Sequence, residues 1–105
     1  MTDQRWIQTT RRRGTILKLV REGHEEQLSR MDDFEMFAML QDIGVTMSRN
    51  QTMTMLQDLA ELGLVKFRTE WSEAGERYVA KDIELTAAGT ALVVRRRNTD
   101  EVRFD

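Results

Sequence analysis

The stretch from Ser48 to Val65, SRNQTMTMLQDLAELGLV, constrains the fold most tightly. Ser48 and Gln51 have the spacing of a capping box, in which each side chain satisfies a free backbone N–H at a helix start. Thr52, Met55, Leu56, Leu59 and Leu62 then recur at helical spacing and predict one buried stripe. Gly63 suits the left-handed turn that closes a helix. Leu64, Val65 and Phe67 open an extended segment directly afterwards. A capped amphipathic helix must therefore stop within one residue and hand the chain to a strand.

The flanking sequence supplies what that junction packs against. Residues 1–9 are expected to be a flexible lead-in, in which Trp6 and Ile7 can pack on the domain. A first helix is expected from Thr10 to Glu22, with Ile16, Leu17 and Val20 on its apolar face and Gly23 at its end. Gly23 to Met31 is polar except for Leu28 and Met31 and reads as a loop or short turn. A second helix starts at Asp32 or Asp33, where acidic residues suit the positive helix end. Its stripe is Met36, Phe37, Leu40 and Ile43, and Gly44 closes it. After the Ser48 helix, Val65, Phe67, Thr69 and Trp71 alternate with Lys66, Arg68 and Glu70 as a half-buried strand does. Ser72 to Glu76 is a turn. Tyr78 to Leu85 is the return strand, with Val79, Ile83 and Leu85 expected on one face. A last helix spans Thr86 to Arg95. The expected class is α+β: three helices, a two-stranded hairpin and a C-terminal helix, in one domain over 10–95 with a polar tail at 96–105.

These residues resemble a known group. The run Ser48 to Val65, the hairpin and the segment Leu85-Thr86-Ala87-Ala88-Gly89 are similar to bacterial winged-helix proteins of the MarR, PadR and ArsR type. The length, the long turn before the third helix, the LAELGLV ending and the polar tail also resemble the small ArsR-like winged-helix proteins of Mu-like transposable phages. The resemblance covers about residues 12–95 and implies a winged helix-turn-helix. It implies double-stranded DNA as partner, read by the third helix in the major groove. A dimer would set two such helices in successive grooves, about 34 Å apart. The resemblance speaks to fold more than to function, because the shared positions are core and turn positions.

Charge tempers the DNA expectation. Net charge is −2. Residues 1–31 carry seven basic and four acidic side chains; residues 32–64 carry Arg49 alone against six acids; residues 65–105 carry eight of each. Phosphate neutralisation supplies most non-specific DNA affinity, and the helix-turn-helix is the acidic part.

With Leu59 at the centre of the buried face, Asn50, Thr54, Gln57 and Glu61 fall opposite it and Met53 at the edge. Asn and Gln pair with adenine, and Thr meets the thymine methyl. Arg49 is placed to reach phosphate or guanine. Lys66, Arg68 and Arg77 of the wing and Arg11, Arg12 and Arg13 of the first helix are phosphate candidates. Each has a plainer reading, as a solvated helix face or a solvated charge. Arg95 to Arg97 also suit a helix C-terminus without any ligand. Met31, Met36, Met39, Met47, Met53 and Met55 read as core filling or as a binding surface. Glu73 and Glu76 in the hairpin turn would repel phosphate and suit a protein partner. A protein-interaction module, an assembly or accessory factor, is therefore the alternative function.

Other classes find little support. The chain has no cysteine and one histidine, His24. One histidine beside Glu25 and Glu26 falls short of the three or four ligands of a metal site. No phosphate-binding glycine loop or nucleophile motif is present, so neither catalysis nor a cofactor is expected. The N-terminus lacks the apolar core of a secretory signal, and the apolar runs are too short for a bilayer. A cytoplasmic protein without membrane contact is expected.

Overall fold

The computed structural model describes residues 3–25 and 31–105, with backbone alone for residues 24 and 25. The order is α1 (Gln4–Glu25), α2 (Asp33–Asp42), α3 (Arg49–Glu61), β1 (Val65–Ser72), β2 (Arg77–Leu85) and α4 (Ala87–Arg95). Three helices, a two-stranded antiparallel hairpin and a further helix make a winged helix-turn-helix. The core joins Ile16, Leu17 and Val20 of α1, Met36 and Leu40 of α2, Leu56 and Leu59 of α3, and Ile83 of β2. Met31, Met36, Met47 and Met53 are buried within it, and Met39 and Met55 pack against it, so the methionines fill the core. Among the described residues, no helix is long and apolar enough to cross a membrane.

The junction after α3 forms as its residues dictate. Ser48 Oγ accepts from Gln51 N at 3.0 Å and Gln51 Oε1 accepts from Ser48 N at 2.9 Å, completing the capping box. Gly63 takes φ +75°, a conformation that costs a residue with a Cβ. Leu64 N then bonds Leu59 O, and β1 leaves at once. The start of α4 is clamped onto this same point. Thr86 caps α4 by accepting from Gly89 N, and it donates its hydroxyl to Gly63 O at 2.6 Å. Thr86 N bonds Leu64 O. A Cβ at Gly89 would collide with the Leu64 carbonyl, so only glycine permits this approach.

Several expectations shift. α1 starts at Gln4, six residues before Thr10, and passes through Gly23 to Glu25. The C-terminal segment packs along its middle: Arg103 N bonds Thr10 O, Arg13 binds Glu101, and a Cβ at Gly14 would meet the Arg103 carbonyl. Within the polar tail, Glu101 to Phe104 are partly or fully buried, while residues 96–100 are exposed. Gly23 lies inside α1, where an added Cβ would meet the Met31 side chain. Part of the expected loop, residues 26–30, lies outside the described residues. The buried face of α3 is Thr52, Met53, Leu56 and Leu59. Its centre is Leu56, a rotation of about 60° from the expected centre at 100° per residue. Leu62 is 38% exposed and Ile43 is 54% exposed, since each follows its helix rather than facing the core. In β2, Asp82 has φ +55° and the register with β1 slips there. Across this bulge Ala80 joins Ile83 in the core cluster, while Val79 is buried outside that cluster.

Gly89→Ala sets two effects against each other. Helix propensity favours alanine by about 1 kcal/mol. The clash is with backbone, which cannot move aside, and overpacking costs about 1–3 kcal/mol. A net loss of stability is expected in a denaturant melt; an unchanged or higher midpoint would show that α4 does not sit on Leu64.

Candidate nucleic-acid interface

The exposed side of α3 carries Asn50, Thr54 and Gln57, and none of the three side chains makes a hydrogen bond among the described residues. Gln51 is exposed as well, but its carbonyl oxygen is held in the capping box. The first half of α1 runs beside this surface. Thr9, Arg12, Asn50, Thr54 and Asp58 line one cleft between the two helices. Gln8, Arg11 and Arg12 line a second cleft, closed by Gly44 to Thr46 of the α2–α3 turn. Arg12 belongs to both, and its guanidinium donates to Thr46 O at 3.3 Å. Arg11, Arg12, Asn50 and Thr54 therefore lie along one continuous surface, and Gln57 follows Thr54 about one turn along α3.

The other candidates are placed differently. Met53 is 7% exposed and belongs to the core, because the α3 face is rotated toward it. Arg13 is 7% exposed. It reaches Glu101 at 3.0 Å and Asp58 at 3.7 Å, and it lies 5.2 Å above the Trp6 ring. It ties α1 to α3 and to the C-terminal segment, so it is a structural cation. Arg49 is half-buried, with its guanidinium 5.0 Å above the Phe34 ring. That stacking holds it against α2, away from the free edge of α3.

Every cation of the two wing strands is paired. Lys66 meets Glu84 at 3.1 Å, Lys81 meets Asp32 at 3.5 Å, and Arg68 meets Asp82 at 2.7 Å and Glu70 at 3.1 Å. Hydrogen bonds to Asp82 first, then Glu70, raise the Arg68 pKa further and hold it charged. Arg77 binds Asp33 at 2.8 Å, and the Asp33 side chain is only 2% exposed. A phosphate would displace the exposed partners cheaply, since such pairs contribute about 0–1 kcal/mol. Freeing Arg77 would strand a buried carboxylate, which is far more costly. Beside this pair, partial burial and then Asp32 push the Glu35 carboxyl above its ordinary value, with Lys81 pulling it back.

Arg95 to Arg97 are exposed at the end of α4. The cleft that Arg96 lines is shared with Lys18 in the second half of α1, so this cluster lies apart from the α3 surface. Trp71 and Tyr78 face each other across the hairpin, edge to face at 5.1 Å, and both are more than half exposed. Among the described residues, no group of three His, Cys, Asp or Glu side chains is arranged to hold a metal ion.

The Arg13–Glu101 and Arg77–Asp33 pairs join positions 88 and 44 residues apart, and no local pattern signals either. No protein-family model matches this sequence, and comparison with curated proteins gives no match.

The geometry separates three adjacent arginines. Arg13→Ala should lower stability by about 1–3 kcal/mol, the range for bonds to a charged group. Glu101 and Asp58 remain solvent-accessible at 46% and 40%, which keeps the loss below that of a fully buried pair. Arg11→Ala and Arg12→Ala should each stay within about 0.5 kcal/mol of wild type. Thermal or urea melts of the three variants check this, and equal losses would refute the separation.

Proposed function

We propose that the protein binds double-stranded DNA through the α1–α3 surface, as a small transcription regulator of a phage or prophage. The observation that carries the reading is the set of uncommitted side chains Asn50, Thr54 and Gln57 on α3, bordered by Arg11 and Arg12. In a winged helix-turn-helix this helix is the one that enters the major groove. Amide side chains there suit adenine, and the threonine methyl suits thymine. Arg11 and Arg12 suit the flanking phosphates and fix register without reading sequence. The phage setting rests on the resemblance of the length, the long turn before α3, the LAELGLV ending and the polar tail alone.

Asp58 and Glu61 also lie on α3 and oppose phosphate, and the paired wing cations add little field. Affinity is therefore modest and strongly salt-dependent. The paired wing and its acidic turn favour a second reading, a module that binds protein instead.

Gel shifts across a salt series distinguish the two. Replacing both Arg11 and Arg12 with alanine should weaken binding to all sequences and reduce the log–log salt slope by about 1.8, at about 0.9 per phosphate contact. Asn50→Ala or Gln57→Ala should cost about 1–3 kcal/mol on a specific site and little on random DNA. DNA binding absent at low salt, or indifferent to all four substitutions, would overturn the DNA reading.

A further inference from the structure

β1 is the edge of a two-stranded sheet. The other strand makes one backbone bond on its far side, where Ile83 N bonds Met31 O. No residue of β1 makes a backbone bond outside the hairpin among the described residues. The outward N–H and C=O groups of β1 are thus bare along its length. Such edges are usually blunted by proline, by bulges or by cover. Here there is no proline, and the pairing is regular from Arg68 to Ser72 because the slip lies nearer the hairpin base. Arg68, Thr69, Glu70 and Trp71 are all exposed.

The strand is self-complementary about Thr69. Reading outward from that residue, Arg68 faces Glu70, Phe67 faces Trp71 and Lys66 faces Ser72. We propose that β1 pairs antiparallel with β1 of a second copy of this chain, with the two-fold axis at Thr69. Each Arg68 then lies opposite the partner's Glu70, and each Phe67 opposite the partner's Trp71. Opposite-charge and aromatic pairs are the contacts that stabilise neighbouring strands. An isologous interface needs one patch that matches itself, and this strand supplies it. Moving the axis to Arg68 or to Glu70 sets like charges face to face, so the charges also select the register. The hairpins join into a four-stranded sheet whose aromatic face runs through Trp71 and Tyr78 of both copies. The pairing is independent of the DNA reading, since it uses neither Arg11, Arg12 nor the exposed side of α3.

The chain has no cysteine, so a single introduced thiol is diagnostic. Facing Cβ atoms in antiparallel strands lie about 4.5–5.5 Å apart, close to the reach of a disulfide. Thr69→Cys under mild oxidation should give a covalent dimer, and Thr90→Cys on the exposed side of α4 should not. Sedimentation velocity of the native chain should show a monomer–dimer equilibrium that Glu70→Arg weakens about ten-fold, because symmetry counts each lost pair twice. The double exchange Arg68→Glu with Glu70→Arg should restore it. Circular dichroism melts verify that each variant is folded, and the crosslinking arm stands if the exchanged chain does not fold. A native chain that stays monomeric at every concentration overturns the proposal. So does a dimer that Glu70→Arg leaves intact, or one crosslinked equally by Thr90→Cys.

Discussion

The contact between Leu64 and the start of α4 is the constraint on which the rest depends. Gly63 turns the chain out of α3, and Leu64 is held from three sides within two residues of that turn. Its N–H bonds back to α3, its carbonyl accepts from Thr86, and Gly89 lies against its backbone. The hairpin therefore leaves α3 and returns to α4 at one fixed point. The orientation of α3 relative to the wing follows from that point rather than from the wing strands. The two short segments most characteristic of the sequence, Leu62-Gly63-Leu64-Val65 and Leu85-Thr86-Ala87-Ala88-Gly89, are the two halves of this contact.

A second tie places α1 beside the exposed side of α3. Arg13 joins α1 to Asp58 of α3 and to Glu101 of the C-terminal segment, and Arg103 N bonds Thr10 O beside them. The step of about 100° per residue points the neighbours Arg11 and Arg12 away from the Arg13 contacts, and Arg12 borders Asn50 and Thr54 with Arg11 beside it. A run of three arginines is thereby divided between structure and surface. The wing contributes the opposite pattern, with each strand cation met by a carboxylate. Among the described residues, the cations without a carboxylate partner thus include Arg11 and Arg12 on α1 and Arg95 to Arg97 at the end of α4. The hairpin is left as a nearly neutral, partly aromatic edge.

Much of the architecture was legible because its determinants are local. Capping residues, helix-ending glycines and strand alternation act over a few positions, and they marked α2, α3, both strands and α4. What escaped depended on distant partners. Nothing near Gln4 to Thr10 announces a helix, and the backbone partner of Thr10 O comes from Arg103, far along the chain. The buried face of α3 was misjudged by about 60° at 100° per residue, since Leu62 belongs to the turn and Met53 to the core. Asn50, Thr54 and Gln57 remained exposed because they lie far enough around the helix to tolerate that rotation. Arg13, Arg49 and Arg77 were indistinguishable from solvated cations until Glu101, Phe34 and Asp33 were seen beside them.

The central claim is that the DNA-facing surface is the α1–α3 side and not the wing. Backbone amide shifts followed by NMR, while a short duplex is added at low salt, test it most directly. The account predicts that the perturbed amides cluster from Gln8 to Arg12 and from Asn50 to Gln57, with Glu73 to Glu76 unaffected. Perturbations confined to the hairpin, or none at a duplex excess, would contradict it.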